Sequence, residues 1–163
     1  MNLYDTEEIE RINKARETND KLEDFFASKR DTWNKNIDPL YISLRNDFTI
    51  DNSQKIIEIQ SLALSYRQVI NEEISLFLNK RTKEEVKMKK LKQDKFVFYA
   101  TGFGLKTNLG EKALLIDAHI AENERNLQLI DVHVDFLRNS SKNLETLGYT
   151  IKNIIELMNY LGR

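Results

Sequence analysis

Apolar residues along this chain recur at helical spacing over long distances, with few breakers between them. From residue 53 to about residue 99, Ile56, Ile59, Ala63, Tyr66, Ile70 and Phe77 alternate steps of three and four, apart from the polar Glu73 between the last two. That alternation is a helix stripe close to a coiled-coil seam. Beyond Phe77 it thins to Val86, Met88 and Leu91. A second stripe runs through Ile116, Ile120, Asn123, Leu127, Ile130, Val134, Leu137, Ser141 and Leu144. Its polar breaks, Asn123 and Ser141, are of the kind that sets register and partner number at some cost in stability.

The punctuation agrees with two long helices. Asp51, Asn52 and Ser53 offer side-chain oxygens to the unpaired amides of a helix start. TGFGLKTNLG, residues 101–110, carries three glycines and is the clearest loop. Gly148 stands where a helix would end on a C′ residue. Around this pair lie weaker patterns. Residues 5–30 hold Ile9, Ile12, Ala15, Leu22, Phe25 and Phe26; Asp38-Pro39 suits a turn before a short helix; Ile151, Ile154, Ile155, Met158 and Leu161 share one face of a last helix. The expected fold is all-α: two long antiparallel helices joined by a glycine-rich loop, plus shorter flanking helices. Two long seams carry more apolar stripe than one hairpin covers, so assembly into a homo-oligomer is expected. The alternative is a monomeric bundle that folds the stripes on each other.

Composition narrows the function classes. A chain of 163 residues is one domain's worth, long enough to bury roughly 70% of its unfolded surface without staples. No cysteine is present, which removes disulfides, thiolate zinc sites and a cysteine nucleophile. The acidic, polar start MNLYDTEEIE shows no signal peptide, and no apolar run nears the ~20 residues of a membrane span.

The net charge of −1 conceals a polarised distribution. Between Lys80 and Lys95 eight cations oppose three acids, whereas between Glu111 and Asp135 six acids oppose two cations. The basic segment leads into aromatics in KMKKLKQDKFVFYATGFG, residues 87–104. Cations that neutralise phosphates and release counterions, beside flat rings that stack on unpaired bases, are what single-stranded nucleic acid requires. Phe96, Phe98, Tyr99 and Phe103 could supply the rings. The plainer reading is that the lysines solvate a helix end and the rings pack in the core.

Other chemistry finds little support. A phosphate loop needs G-x-x-x-x-G-K-[ST], but Leu105 precedes Lys106 and Ala100 stands at the first glycine position. The two histidines repeat in IDAHI and IDVHV, fourteen residues apart. On one helix that is ~21 Å, too far for both to reach a single metal, which leaves only a neighbouring chain to complete a site. His119 and His133 are therefore expected at surface heptad positions among charges. With no nucleophile motif, no enzyme activity, cofactor or metal is expected.

Four segments, FTIDNSQ, LSYRQVINE, LKQDKFVFYATG and GYTIKNIIELMNYL, occur in an order and spacing similar to those of the UvsY family, the recombination mediators of T-even-type phages. The resemblance covers about residues 40–163. It implies a recombination-mediator-like helical domain over 39–163, with residues 1–38 a helical extension. It further implies a soluble, non-enzymatic protein of the host cytoplasm that binds single-stranded DNA as a ring-like homo-oligomer of the hexamer or heptamer class. Such proteins help a phage RecA-like recombinase nucleate on DNA covered by the phage single-stranded-DNA-binding protein. The family's DNA-contact motif, Leu-Lys-x-Arg-Leu-x-Tyr-Tyr followed by Gly, matches Leu91, Lys92, Phe98, Tyr99 and Gly102, with Lys95 in place of the Arg. The spacing before the aromatic pair is longer than in the motif, and Asp94 intrudes. The implied DNA segment is about 80–104, with Lys92, Lys95, Phe98 and Tyr99 as contacts, and the basic run adds Lys87, Lys89 and Lys90 as candidates. The implied oligomerisation region is about 111–163. The alternative is a helical scaffold without DNA binding, whose lysines pair with the acidic helix.

Overall fold

The computed structural model describes residues 6–46, 53–101 and 109–162, and each of these segments is helical: α1 (Thr6–Asn46), α2 (Ser53–Thr101) and α3 (Leu109–Leu161). Among the described residues there is no strand, so the protein is all-α. The loop residues 102–108, including Gly102 and Phe103, and the Asp51 and Asn52 caps lie outside the described residues. No described helix is long and apolar enough to cross a membrane.

Two expected interruptions are absent. Helix α1 runs through Pro39, where a turn was expected. An interior proline costs about 3 kcal/mol through its lost amide bond and its clash with the preceding turn. Against this, Trp33, Ile37 and Leu40 are all buried on the same stretch of helix, and a buried large apolar side chain contributes about 1.5–3 kcal/mol. Pro39 and Lys35, whose carbonyl loses its helical donor, are both exposed, so water can replace the missing amide. Helix α3 likewise continues through Gly148, which has no positive φ. Leu144, Leu147 and Ile151 are buried on either side of it. Their shared face carries the helix past the glycine. The pieces read as short flanking helices are thus parts of α1 and α3.

The chain forms two compact units, each containing a stretch of all three helices. The first comprises Met1–Phe26 with Leu78–Val132, the second Ala27–Phe77 with His133–Arg163. In the second unit Ile56, Ile59, Ala63, Ile70 and Phe77 of α2 are buried, as are Val134, Leu137, Leu144 and Ile151 of α3. The polar break Glu73 is what α1 binds: its carboxylate accepts from Trp33 Nε1 at 3.1 Å and pairs with Lys29 at 3.0 Å. Ser141, the break in α3, donates to Asn71 of α2 at 2.9 Å. The pairs Arg67–Glu145 and Asn71–Ser141 run in opposite directions along α2 and α3.

In the first unit Phe26, Tyr99, Ile116, Ile120, Leu127 and Ile130 are buried, together with the polar Asn19 and His119. The α2 to α3 pairs Arg81–Asp131 and Lys92–Asp117 are again antiparallel. The basic segment belongs wholly to this unit.

Candidate nucleic-acid interface

The basic segment lies on the last five turns or so of α2, where the apolar stripe has thinned and the helix turns a broad polar arc to solvent. Lys80, Lys83, Lys87, Lys89, Lys90 and Lys92 are all exposed. Their engagement differs. Lys87 pairs with Glu84 at 2.8 Å and Lys89 with Glu85 at 2.8 Å, both within α2, and Lys92 approaches Asp117 of α3 at 3.7 Å. The Lys89 hydrogen bond, followed by Arg81, holds the Glu85 carboxyl below its usual range. Pairs this exposed are weak and are screened by salt, so other ions compete with them readily. Lys80, Lys83 and Lys90 make no ion pair among the described residues.

Arg81 is held differently. Its guanidinium forks onto Asp131 of α3, Nε to Oδ1 at 2.5 Å and Nη2 to Oδ2 at 3.2 Å, and also pairs with Glu85. It ties α2 to the acidic helix.

The rings separate as well. Tyr99 is 4% exposed and lies in the core, whereas Phe98 is 45% and Phe96 55% exposed. Phe96 follows Lys92 by four residues and Lys89 by seven, which places the three on one stripe of the helix. Phe98 sits with its ring beneath Lys95, the ammonium 5.9 Å from the ring centre. The motif match selects Phe98 and Tyr99; the i, i+3, i+7 spacing of Lys89, Lys92 and Phe96 is the signal that marks the third ring.

Lys95 and Tyr99 join a different assembly. The Tyr99 hydroxyl lies 2.7 Å from Nε2 of His119, and Nδ1 of His119 lies 2.6 Å from Oε1 of Glu8. The same Glu8 carboxylate accepts from Arg11 Nη2 at 2.7 Å and pairs through Oε2 with Lys95 at 3.0 Å. Burial alone would raise the Glu8 carboxyl, but the hydrogen bonds from Arg11, Lys95 and His119 outweigh it and lower the group to about 2. Burial pushes the His119 imidazole below its ordinary value, with Lys95 and Arg11 adding to the push against Glu8. A neutral ring satisfies both neighbours as an Nδ1–H donor to Glu8 and an Nε2 acceptor from Tyr99. No sequence signal announces Glu8 as a partner of the basic segment, because Lys95 and His119 stand far along the chain on other helices.

Both histidines correct the expectation of surface positions: His119 is 3% exposed and His133 fully buried. The expectation assumed that α3 faces one partner helix. It packs against two, and the buried arc widens to take in the flank at 119, 133 and 140. In the second unit His133 meets Phe77 edge-on at 4.9 Å and stacks near Phe136 at 6.3 Å between ring centres. Burial, helped by Arg30 and Lys29 against Glu73, lowers its pKa to about 4. Asp117 and Asp131, the partners in the repeated motif, turn instead toward Lys92 and Arg81 of α2. Among the described residues, no group of three or more His, Asp or Glu side chains is gathered to hold a metal ion.

No family model, curated protein or solved structure matches the chain.

Proposed function

We propose that the protein is a single-stranded-DNA-binding recombination mediator, with the phosphate-binding surface on the exposed arc of α2. The observation that carries this reading is the stripe of Lys89, Lys92 and Phe96, two cations and an exposed ring on one helix face. Lys80, Lys83, Lys87 and Lys90 are exposed on the other flank of α2, where Phe98 provides a further ring. The ordered UvsY-like segments add the role: helping a phage RecA-like recombinase load onto DNA covered by single-stranded-DNA-binding protein. Tyr99 belongs to the core in this reading, and Lys95 is held by Glu8.

A ring-like homo-oligomer would array one basic segment per subunit along a strand, so that weak contacts gain effective concentration. The exposed Leu157, Tyr160 and Leu161 near the end of α3 support self-association through that helix. Fluorescence titration with oligo-dT at several salt concentrations tests the reading. Affinity should fall with salt at a log–log slope of roughly −0.7 per phosphate contacted. Lys89→Ala with Lys92→Ala should flatten that slope, and Phe96→Ala should weaken binding with the slope kept. Unchanged affinity and slope in these variants would sink the assignment.

A second reading is favoured by one observation. Arg81 and Lys92 reach Asp131 and Asp117 on the acidic helix, as a helical scaffold without DNA binding would have it. Sedimentation separates the two, since a scaffold keeps its oligomer and ignores added DNA.

A further inference from the structure

The first five turns of α1 bury little apolar surface and carry many polar contacts to their unit. Between residues 6 and 25 the one fully buried side chain is Asn19; Ile12, Ala15 and Leu22 are only half-buried, Ile9 and Phe25 are each 46% exposed, and the first fully buried apolar side chain is Phe26. Beside these half-buried apolar residues runs a ladder of charges and hydrogen bonds. Arg11 donates to the His119 carbonyl at 2.9 Å, Arg16 pairs with Glu122 at 3.1 Å, and Asn19 donates to the Glu122 carbonyl at 2.6 Å. Arg125 of α3 pairs with Asp20 and Glu23, each at 2.8 Å. A recess of about 270 Å³, lined among others by Arg11, Lys14, Glu84 and Glu122, runs beside the ladder. A contact of this kind is screened by salt and open to competition by other ions, where an apolar seam is not.

At the end of the ladder Glu8 fills a place built from the other two helices. Lys95 of α2 and the Nδ1 of His119 of α3 both bind its carboxylate, and Tyr99 fixes the far side of the imidazole. Lys95 is only 20% exposed at its side chain, whereas Lys87, Lys89 and Lys92 are more than half exposed. Two donors converging on one carboxylate, with a buried ring held in a single orientation behind them, also suit one oxygen edge of a phosphate.

We infer that Glu8 is an internal stand-in for a phosphate: the start of α1 is a displaceable strap that occupies an anion site formed by Lys95 and His119, and a nucleic-acid phosphate takes that site when the strap lifts. This rests on the DNA-binding reading above. The strap keeps the innermost cation of the basic segment out of use until a strand already engaged by Lys89 and Lys92 brings phosphates close enough to compete. Binding is then graded, with the outer lysines engaging first and the strapped site adding a contact afterwards.

The test is oligo-dT titration of the full-length chain and its variants across a salt series, with circular dichroism to check folding. Glu8→Gln should bind several-fold more tightly at low salt, with a slope steeper by about 0.7, the signature of one more phosphate contact. Lys95→Ala should erase that gain in the Glu8→Gln background. Glu122→Gln, which loosens the strap at Arg16 but leaves Glu8 in place, should shift binding in the same direction, and it covers the case in which Glu8→Gln folds poorly. Amide hydrogen exchange over residues 6–25 should quicken when DNA binds. If the unaltered chain binds DNA with the expected salt slope, but both Gln variants match it and exchange at 6–25 does not change, the strap is overturned and the DNA reading stands. If none of the proteins binds oligo-dT at any salt concentration, the DNA reading itself fails, and the strap with it.

Discussion

The hydroxyl of Tyr99 and Nε2 of His119 lie 2.7 Å apart inside the first unit, joining the end of α2 to the start of α3. The bond settles which way Tyr99 faces, and it orients the imidazole whose other nitrogen meets Glu8. Tyr99→Phe removes the donor and leaves a buried ring nitrogen unsatisfied, which costs about 1–3 kcal/mol. Urea unfolding should show a lower midpoint with an unchanged slope. A midpoint equal to that of the parent would mean that the hydroxyl contributes nothing to the fold.

Acid should loosen the protein in two stages. His133 has its folded pKa lowered to about 4, so the unfolded chain binds more protons between about pH 6.5 and 4. The stability it contributes is complete above pH 6.5 and lost as pH falls toward 4, to a limit of about 3 kcal/mol. His119, also lowered, adds in the same sense. Glu8, lowered to about 2, contributes stability that is present above its unfolded value and lost as pH falls from about 4.5 toward 2. Urea midpoints measured from pH 7.5 to 4 check the first stage. His133→Gln, which cannot titrate, should flatten the pH dependence in that window; a profile as steep as the parent's would contradict the assignment.

Gly148 sits in helical conformation with nothing within 4 Å of the position a Cβ would take. Gly148→Ala should therefore stabilise the protein by about 0.4–1 kcal/mol, mainly by restricting the unfolded chain. Thermal unfolding followed at 222 nm (a wavelength that reports helix) should show a higher midpoint. A fall would mean that the methyl group meets something, most directly a partner seated on this side of α3.

The helical class of the protein and the inner stripes of α2 and α3 are legible along the chain. Ile56, Ile59, Ala63, Ile70 and Phe77, and Ile116, Ile120, Leu127, Ile130, Val134, Leu137 and Leu144, are all buried as their spacing indicates. Periodicity is a local property, and a stripe that repeats for several turns reports its own buried face. The basic segment is equally visible, because charge is carried by residue type alone.

What lies beyond that reach depends on which helices meet. Pro39 and Gly148 carry local stop signals, yet burial of Trp33, Ile37 and Leu40 around one and of Leu144, Leu147 and Ile151 around the other keeps both helices intact. His119 and His133 lie on the flank of their stripe, a place that is wet with one neighbouring helix and dry with two. Among the candidate DNA contacts, Lys95 is drawn into a buried network by a glutamate near the beginning of the chain, while Lys89 and Lys92 stay exposed. Composition and spacing settle which residues are basic, apolar or aromatic; only the packing of three helices settles which of them face water, because burial and ion pairing are properties of neighbours in space and not in sequence.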